Sequence, residues 1–319
     1  MSKPRITLVV NPASNKGAAA QVGSLIANHL RSAADIQLRS GSSAAESMRL
    51  LTQAAEESDA VLVCGGDGIV HLAVNALAEG DTPLGIVPAG TGNDTASVLG
   101  ISADPQTAAD SMLAALAEGS IRRIDLGHCD SLSISAAGSG RWWAAMLYGG
   151  FDSAVNERAN AMRWPKGRRR YDLAILAELA RLKPRAISLT LDGQRLDLDV
   201  TLVAIGNGPQ YGGGKRMAPD ARMDDGIFDI TVIGPVSRFK LARLAPTLPH
   251  AGHIGHREVS QYRAREVTFA AVNTMAYADG ELLGPLPLTT RCVSRALPVL
   301  IPLGSMPPGL SMVQTSQNG

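Results

Sequence analysis

Ala60-Val61-Leu62-Val63-Cys64-Gly65-Gly66-Asp67-Gly68 is an apolar run that stops at three glycines around one acid. The run predicts a buried strand, and glycines at its end let backbone N–H groups approach phosphate oxygens as a helix begins. Asp67 is then placed to hold a metal or a ribose hydroxyl. A second short run, Leu84-Gly85-Ile86-Val87, leads into Pro88-Ala89-Gly90-Thr91-Gly92-Asn93-Asp94. One glycine loop alone is weak, because glycine marks any tight strand-to-helix turn. The second loop adds the Thr91 hydroxyl, the Asn93 amide and the Asp94 carboxylate, the donors and acceptors that a triphosphate and its Mg²⁺ demand. Two such loops predict one nucleotide pocket.

Outward from these loops, the first 125 or so residues alternate strand-like and helix-like segments, as a parallel sheet with covering helices requires. Strands are expected at Ile6–Val10, Ile36–Leu38, Ala60–Cys64 and Leu84–Val87. Helices are expected near 18–30, 44–57, 69–78 and 108–117. Beyond Ile124-Asp125-Leu126 the texture changes to short runs broken by Gly, Asp and Pro. Leu132–Ile134, Trp142–Leu147, Ile187–Leu191, Leu196–Ile205, Phe228–Ile233, Glu266–Ala271 and Thr289–Val293 read as strands of a mostly antiparallel sheet or sandwich. One helical insertion, near 171–181, interrupts them.

Composition sets outer limits. At 319 residues the chain exceeds the roughly 250–300 at which one core stops growing, so two domains are expected. These are a nucleotide-binding α/β domain over 1–125, which the segment 296–305 is a candidate to complete, and a β-rich domain over 126–295. A flexible tail follows over 306–319. Thirty Lys and Arg against 29 Asp and Glu leave a net charge of +1, no electrostatic footprint for nucleic acid. The three cysteines lack metal or disulfide spacing, which fits a reduced cytoplasm. No run approaches the ~18 apolar residues of a membrane span, so membrane contact is expected to be peripheral.

The ordered set Asn11-Pro12, Gly-Gly-Asp-Gly at 65–68, Pro-Ala-Gly-Thr-Gly-Asn-Asp at 88–94 and Ile124-Asp125-Leu126-Gly127 resembles the diacylglycerol kinase and sphingosine kinase superfamily, in particular its soluble bacterial lipid kinases. Gly149-Gly150-Phe151-Asp152, Gly206-Asn207-Gly208, Gly212-Gly213-Gly214, Pro219-Asp220-Ala221, Asp224-Asp225-Gly226 and Asp279-Gly280-Glu281 extend the likeness over almost the whole chain. It implies a Rossmann-like α/β domain of the NAD kinase and phosphofructokinase type, followed by an antiparallel β-sandwich with a helical insertion. It implies ATP and Mg²⁺ as cofactors. Asn11, Gly65, Gly66, Asp67, Gly68, Gly90, Thr91, Gly92, Asn93 and Asp94 would line the nucleotide cleft, and Asp67, Asp94 and Asp125 would form an acidic network at the metal. Asp125 reads alternatively as the cap of a domain-crossing turn, and Asp94 as a helix N-cap.

By the same resemblance Asp279, in the Asp279-Gly280-Glu281 motif, is the general base; without it, Asp-Gly reads first as a β-turn. A structural Mg²⁺ would be held by the Asp225 carboxylate and the carbonyls of Arg222 and Ile227, against the alternative of an ordinary Asp-Asp-Gly turn. The chain departs from the family pattern at Ile69, His71 and Leu72, where Thr and Asn-Glu are common.

Arg163, Lys166, Arg168, Arg169 and Arg170 precede a helix with Leu173, Leu176, Ala177 and Ala180 on one face. That arrangement suits an anionic bilayer surface or, equally, a core-facing helix with a solvated basic turn. His250, His253 and His256 recur among glycines that suggest a flexible loop rather than a metal site. Trp142, Trp143 and Trp164 are too scattered to stack nucleic acid. The reading that follows is a lipid kinase making phosphatidic acid from diacylglycerol at the membrane surface, with a homodimer left open. Its alternatives are a sphingosine- or ceramide-type kinase, an NAD kinase, and a nucleotide-binding regulator with weakened catalysis.

Overall fold

The computed structural model describes residues 3–11, 18–90, 92–130, 141–162, 164 and 168–311. The front half forms β1 (Arg5–Val10), α1 (Ala18–Leu30), β2 (Asp35–Ser40), α2 (Ala44–Glu57), β3 (Ala60–Gly65), α3 (Asp67–Leu77), β4 (Leu84–Pro88), α4 (Asp94–Val98) and α5 (Pro105–Glu118). Local chemistry sets the helix ends. Ser43 caps α2 by accepting from the Glu46 N–H at 3.1 Å. Asp104 caps α5 ahead of Pro105, and α5 stops at Gly119, whose φ of 66° suits glycine. The strands are parallel in the order β2-β1-β3-β4. Register places Val10 beside Cys64 and Gly65 beside Pro88, so Asn11 and both glycine loops leave the same edge of the sheet. Carboxyl ends of parallel strands are where such sheets bind ligands.

The back half continues with β5 (Ile121–Cys129), β6 (Trp142–Trp143), β7 (Met146–Gly150), α6 (Phe151–Ala161), α7 (Arg168–Ala180), β8 (Arg185–Leu191), β9 (Gln194–Val200), β10 (Leu202–Gly206), β11 (Phe228–Ile233), α8 (Arg238–Leu244), β12 (Val259–Ala264), β13 (Glu266–Ala271), β14 (Met275–Ala278), β15 (Glu281–Pro285) and β16 (Leu288–Leu300). Strands β12-β11-β10-β7-β14-β15 make a six-stranded antiparallel sheet. It packs on β8 and β13 through a core that includes Trp143, Leu189, Ile205, Phe228 and Phe269. The Trp143 and Phe228 rings stack with centroids 5.0 Å apart. The fold is therefore α/β followed by a β-sandwich.

β16 joins the halves. It pairs with β13, runs along β5, and meets β4 at Val299 beside Leu84, so one ten-stranded sheet runs through both halves. Leu297, Val299, Leu300 and Ile301 are buried in the front core. The periodicity reading stopped this strand at Val293. Arg295, with φ 57°, sits in a register shift between Val293 and Leu297 that breaks the alternation.

Other expectations change. The back half has α6 and α8 as well as α7; α6 mixes Asn, Ser and charged residues among its apolar positions and carries little helical stripe. The run Leu196–Ile205 is two strands, because the chain crosses from one sheet to the other at Thr201. The flexible tail cannot start at Met306, since the Gly309 N–H donates to the Val98 carbonyl at 3.0 Å and Leu310 is buried. The expected strand Leu132–Ile134 lies outside the described residues. Pro246, at the start, and Pro249 shape a 3₁₀ turn at Ala245–His250, and the nearby His253 is buried against the Met217 carbonyl at 3.1 Å. Cys64 and Cys129 are buried and free, and burial pushes both thiols up to about 12. Among the described residues no helix is long and apolar enough to cross a membrane.

Candidate active site

The two glycine loops touch. A Cβ on Gly90 would stand 2.4 Å from the Gly66 Cα, and one on Gly92 would stand 2.1 Å from Asp67 Oδ2. The loops can close on each other only because these positions lack side chains. The Ala89 N–H donates to the Gly65 carbonyl at 2.8 Å, and the Asn11 N–H to the Cys64 carbonyl at 3.3 Å. Asn93, at φ 79°, folds its amide back on Gly90, donating to its carbonyl at 3.1 Å. Thr91 lies outside the described residues.

Asp67 opens α3 and faces the next loop. Its carboxylate accepts from the Asn93 and Asp94 N–H groups, each at 2.9 Å. Burial, then the negative charge of Asp94 and more weakly that of Asp279, push Asp67 up to about 6 against the pull of those amides. No lysine or arginine among the described residues pairs with Asp67 or Asp94. Asp94 accepts instead from the Gly213 and Gly214 N–H groups at 3.0 and 3.1 Å, which ties the triglycine loop of the back half to the start of α4.

Asp279 and Gly280 form the two-residue turn between β14 and β15, with φ of 51° and 89°. The turn reading and the cleft reading both describe this residue. Its side chain folds back so that Oδ2 accepts from the Ala144 N–H at 2.6 Å, and Oδ1 from Ala145 and Met146 at 2.9 and 3.1 Å. Glu281 points at the first glycine loop, its Oε1 3.5 Å from where a Gly68 Cβ would be. Beside Asp279 stands a polar aromatic wall. Tyr148 lies between Tyr211 and Tyr277, with centroids 5.2 and 6.2 Å away, and the Tyr148 hydroxyl accepts from Asn156 at 2.7 Å. Among the described residues Asp152 Oδ2 and the Tyr211 hydroxyl are buried without partners. Burial raises Asp152 above the usual carboxylate range, with Lys215 opposing.

Asp125 is not part of this group. Its carboxylate accepts from Gly226 at 2.6 Å and Arg295 at 2.7 Å, the geometry of a cap on the crossing turn. Its charged neighbours are Asp225 and Asp224, so the expected Asp67–Asp94–Asp125 network is corrected to Asp67, Asp94 and Asp279. In the loop Arg222 to Ile227, the Asp225 carboxylate pairs with Arg263 and accepts from the Ile227 N–H at 3.3 Å. In this structure the loop has the form of a salt-bridged turn, with the Asp225 carboxylate engaged by Arg263. Among the described residues no three His, Cys, Asp or Glu side chains converge to hold a metal unaided.

Several contributors carry no sequence signal. The amide row Ala144–Met146 acts through backbone, and only tertiary structure aims it at Asp279. Asn207, in the quoted Gly-Asn-Gly motif, is fully buried and donates to the Asp125 and Ala144 carbonyls at 2.8 and 2.6 Å. Spacing could not have shown that.

An α/β layer with two glycine loops at its carboxyl edge, joined to a β-sandwich that brings its own acids, is an arrangement a phosphotransferase can use, and comparison with known proteins gives the class as lipid kinase. Residues 5–129 match the diacylglycerol kinase catalytic domain, and residues 145–301 match the YegS C-terminal NAD kinase beta sandwich-like domain. A diacylglycerol kinase of Mycobacterium tuberculosis (strain ATCC 25618 / H37Rv) is 42% identical over 302 residues, covering 93% of this chain and 95% of its own. One from Bacillus subtilis (strain 168) is 28% identical over 239 residues, 73% of this chain and 75% of its own. A crystal structure of a diacylglycerol kinase from Bacillus anthracis str. Sterne shares the fold, with TM-score 0.71 at 18% identity, covering 96% of this chain and 100% of that one. The chain belongs to the diacylglycerol kinase catalytic domain family.

Proposed function

We propose that this lipid kinase transfers the γ-phosphate of ATP to the free hydroxyl of a diacylglycerol, giving phosphatidic acid. One observation carries the reading: Asp67 is within electrostatic reach of both Asp94 and Asp279, and Glu281 Oε1 lies 3.5 Å from where a Gly68 Cβ would be, so carboxylates from both halves gather at the glycine loops. ATP phosphates would lie along the N–H groups of residues 66–68 and 90–93, with Asn11 beside them. Asp67 is raised first by burial and then by the charges of Asp94 and Asp279, and two neighbouring carboxylate side chains are oxygen donors that would suit Mg²⁺ held together with the nucleotide's phosphates. When bound, Mg²⁺ would neutralise charge on the transferring phosphoryl group.

The acceptor hydroxyl would be received on the side of Tyr148, Tyr211 and Tyr277. Asp279 takes its proton as the new O–P bond forms, and the electron pair of the breaking P–O bond leaves with ADP. The three amides fix the position of the Asp279 carboxylate. Asp279→Asn should lower turnover by about 10²–10⁴. It should also destabilise the fold by about 1–3 kcal/mol, since an amide NH₂ there meets a backbone donor. Turnover per folded molecule, with ATP affinity measured in parallel, checks it; undiminished turnover would remove Asp279 from the mechanism.

Substrate class is tested with radiolabelled ATP, a mixed lipid extract and NAD. Labelled phosphatidic acid is expected. A labelled sphingoid or ceramide phosphate would move the substrate, and labelled NADP would move the enzyme to the NAD kinases.

Membrane access is the second part of the proposal. On α7, Ala174 packs on Val155 and Ala159 of α6, which leaves Leu173 and Leu176 outward, Leu176 61% exposed. The exposed face is thus the one expected to meet a bilayer. Trp164 and Phe239 are also exposed, and Arg169 adds charge. Arg163 and Lys166 lie outside the described residues.

A further inference from the structure

His71 stands at a departure from the family pattern and is used by nothing described so far. It lies in the second turn of α3 with its side chain 1% exposed, and its Nδ1 is 3.9 Å from Asp279 Oδ2. Among the described residues that Nδ1 is a buried polar atom without a hydrogen-bond partner. The other ring nitrogen, Nε2, faces the Asn75 side chain at 3.4 Å.

Asp279 is the group that distinguishes the two ring nitrogens. Asn75 Oδ1 accepts from the Trp142 N–H at 2.9 Å, and its Nδ2 donates to the Trp142 carbonyl at 2.9 Å and to the His71 carbonyl at 3.0 Å. Those two bonds use both amide hydrogens, so the 3.4 Å approach to Nε2 offers at most a shared one. Nδ1, by contrast, faces a carboxylate oxygen, which accepts, so a ring hydrogen on Nδ1 meets an acceptor where a lone pair would meet negative charge.

We propose that His71 is a positioning residue for Asp279, its Nδ1–H serving as a fourth donor that fixes Oδ2. The inference rests on the reading of Asp279 as the base. At 3.9 Å the contact is longer than a hydrogen bond, and catalytic contacts often tighten only when substrate closes the site. Asn75 and Asp279 both bind the stretch Trp142–Met146, so α3 and the β14–β15 turn are referenced to one piece of backbone. Other titratable groups around the pair are Asp67 on α3 and Tyr148 on β7, each acting electrostatically with Asp279, and Glu281 on β15.

The tautomer is tested in the wild-type protein by ¹⁵N NMR of the ring nitrogens. A neutral His71 protonated on Nδ1 is expected, and a neutral ring protonated on Nε2 overturns the proposal. Kinetics test the role. A donor to the charged form favours that form, so losing it moves the acid limb of kcat/KM to higher pH. His71→Leu should lower kcat by about 10- to 100-fold, with KM for ATP unchanged and the limb raised. His71→Asn, which keeps an N–H donor, should return the limb most of the way. An unmoved limb in His71→Leu, or the same loss in both variants, means that His71 only fills space. If Asp279→Asn keeps full turnover, the base assignment itself fails, a result distinct from either.

Discussion

Gly90 shows how little room the nucleotide cradle leaves. Gly90→Ala would drive a methyl into the Gly66 backbone, 2.4 Å from its Cα and 2.8 Å from its nitrogen, where no rotamer change relieves it. It should cost about 1–3 kcal/mol in urea unfolding and weaken ATP binding at least ~10-fold by calorimetry. Asp67 has a signature in pH. An unfolded aspartate titrates near ~3.9, whereas in the fold it is raised to about 6. Between these values the native chain holds a proton that the unfolded chain has lost. The stability Asp67 contributes is thus complete below about 4 and is lost as pH rises through about 6. Thermal unfolding of nucleotide-free protein should show this fall relative to Asp67→Asn, which has no such proton to lose. A wild-type-minus-variant difference that is flat from pH 4 to 7 would contradict it.

Among the elements, α7 separates two uses of apolar residues. Ala174 and Ile175 face α6, and Leu173 and Leu176 face solvent. A Leu173→Glu, Leu176→Glu double variant should reduce sedimentation with anionic vesicles by about 10-fold or more and leave ATP binding intact. Unchanged vesicle binding would assign the face elsewhere, and a change in oligomeric state would point to a second copy of the chain. Element identity was well legible where periodicity was strong. α2 spans 44–57 as expected, and β11 and β13 match residue for residue. It was poor where burial is uniform or a bulge intervenes, as in α6 and β16. A helix packed by tertiary contacts needs no clean stripe of its own, and a strand shared by two cores follows neither pattern throughout.

At the scale of the molecule, Asp125 ties the crossing strand β5 to Gly226 and to the bulge of β16. Asp125→Ala would leave two amides unsatisfied and should cost about 2–5 kcal/mol. Because one sheet runs through both halves, wild-type protein should unfold as a unit. Tryptophan fluorescence, from Trp143 in the sandwich core and Trp142 packed against the front core, and circular dichroism should give coincident urea curves. Separate midpoints would show that the halves melt independently.

Residue types and their order were enough to define the strand-loop-helix turns of the front half, the change to a sandwich after Asp125, and a set of candidate acids. These are local properties: a glycine's freedom, an apolar period, a carboxylate in a turn. Which acids meet was decided by tertiary structure alone. Asp125, next to the motif, is drawn away by two backbone amides, while Asp279, more than 200 residues beyond Asp67, is brought within electrostatic reach of it. The grip on Asp279 comes from the N–H groups of Ala144, Ala145 and Met146, which every residue but proline carries. Side-chain identity says nothing about where such groups point; the pairing of β7 with β14 does.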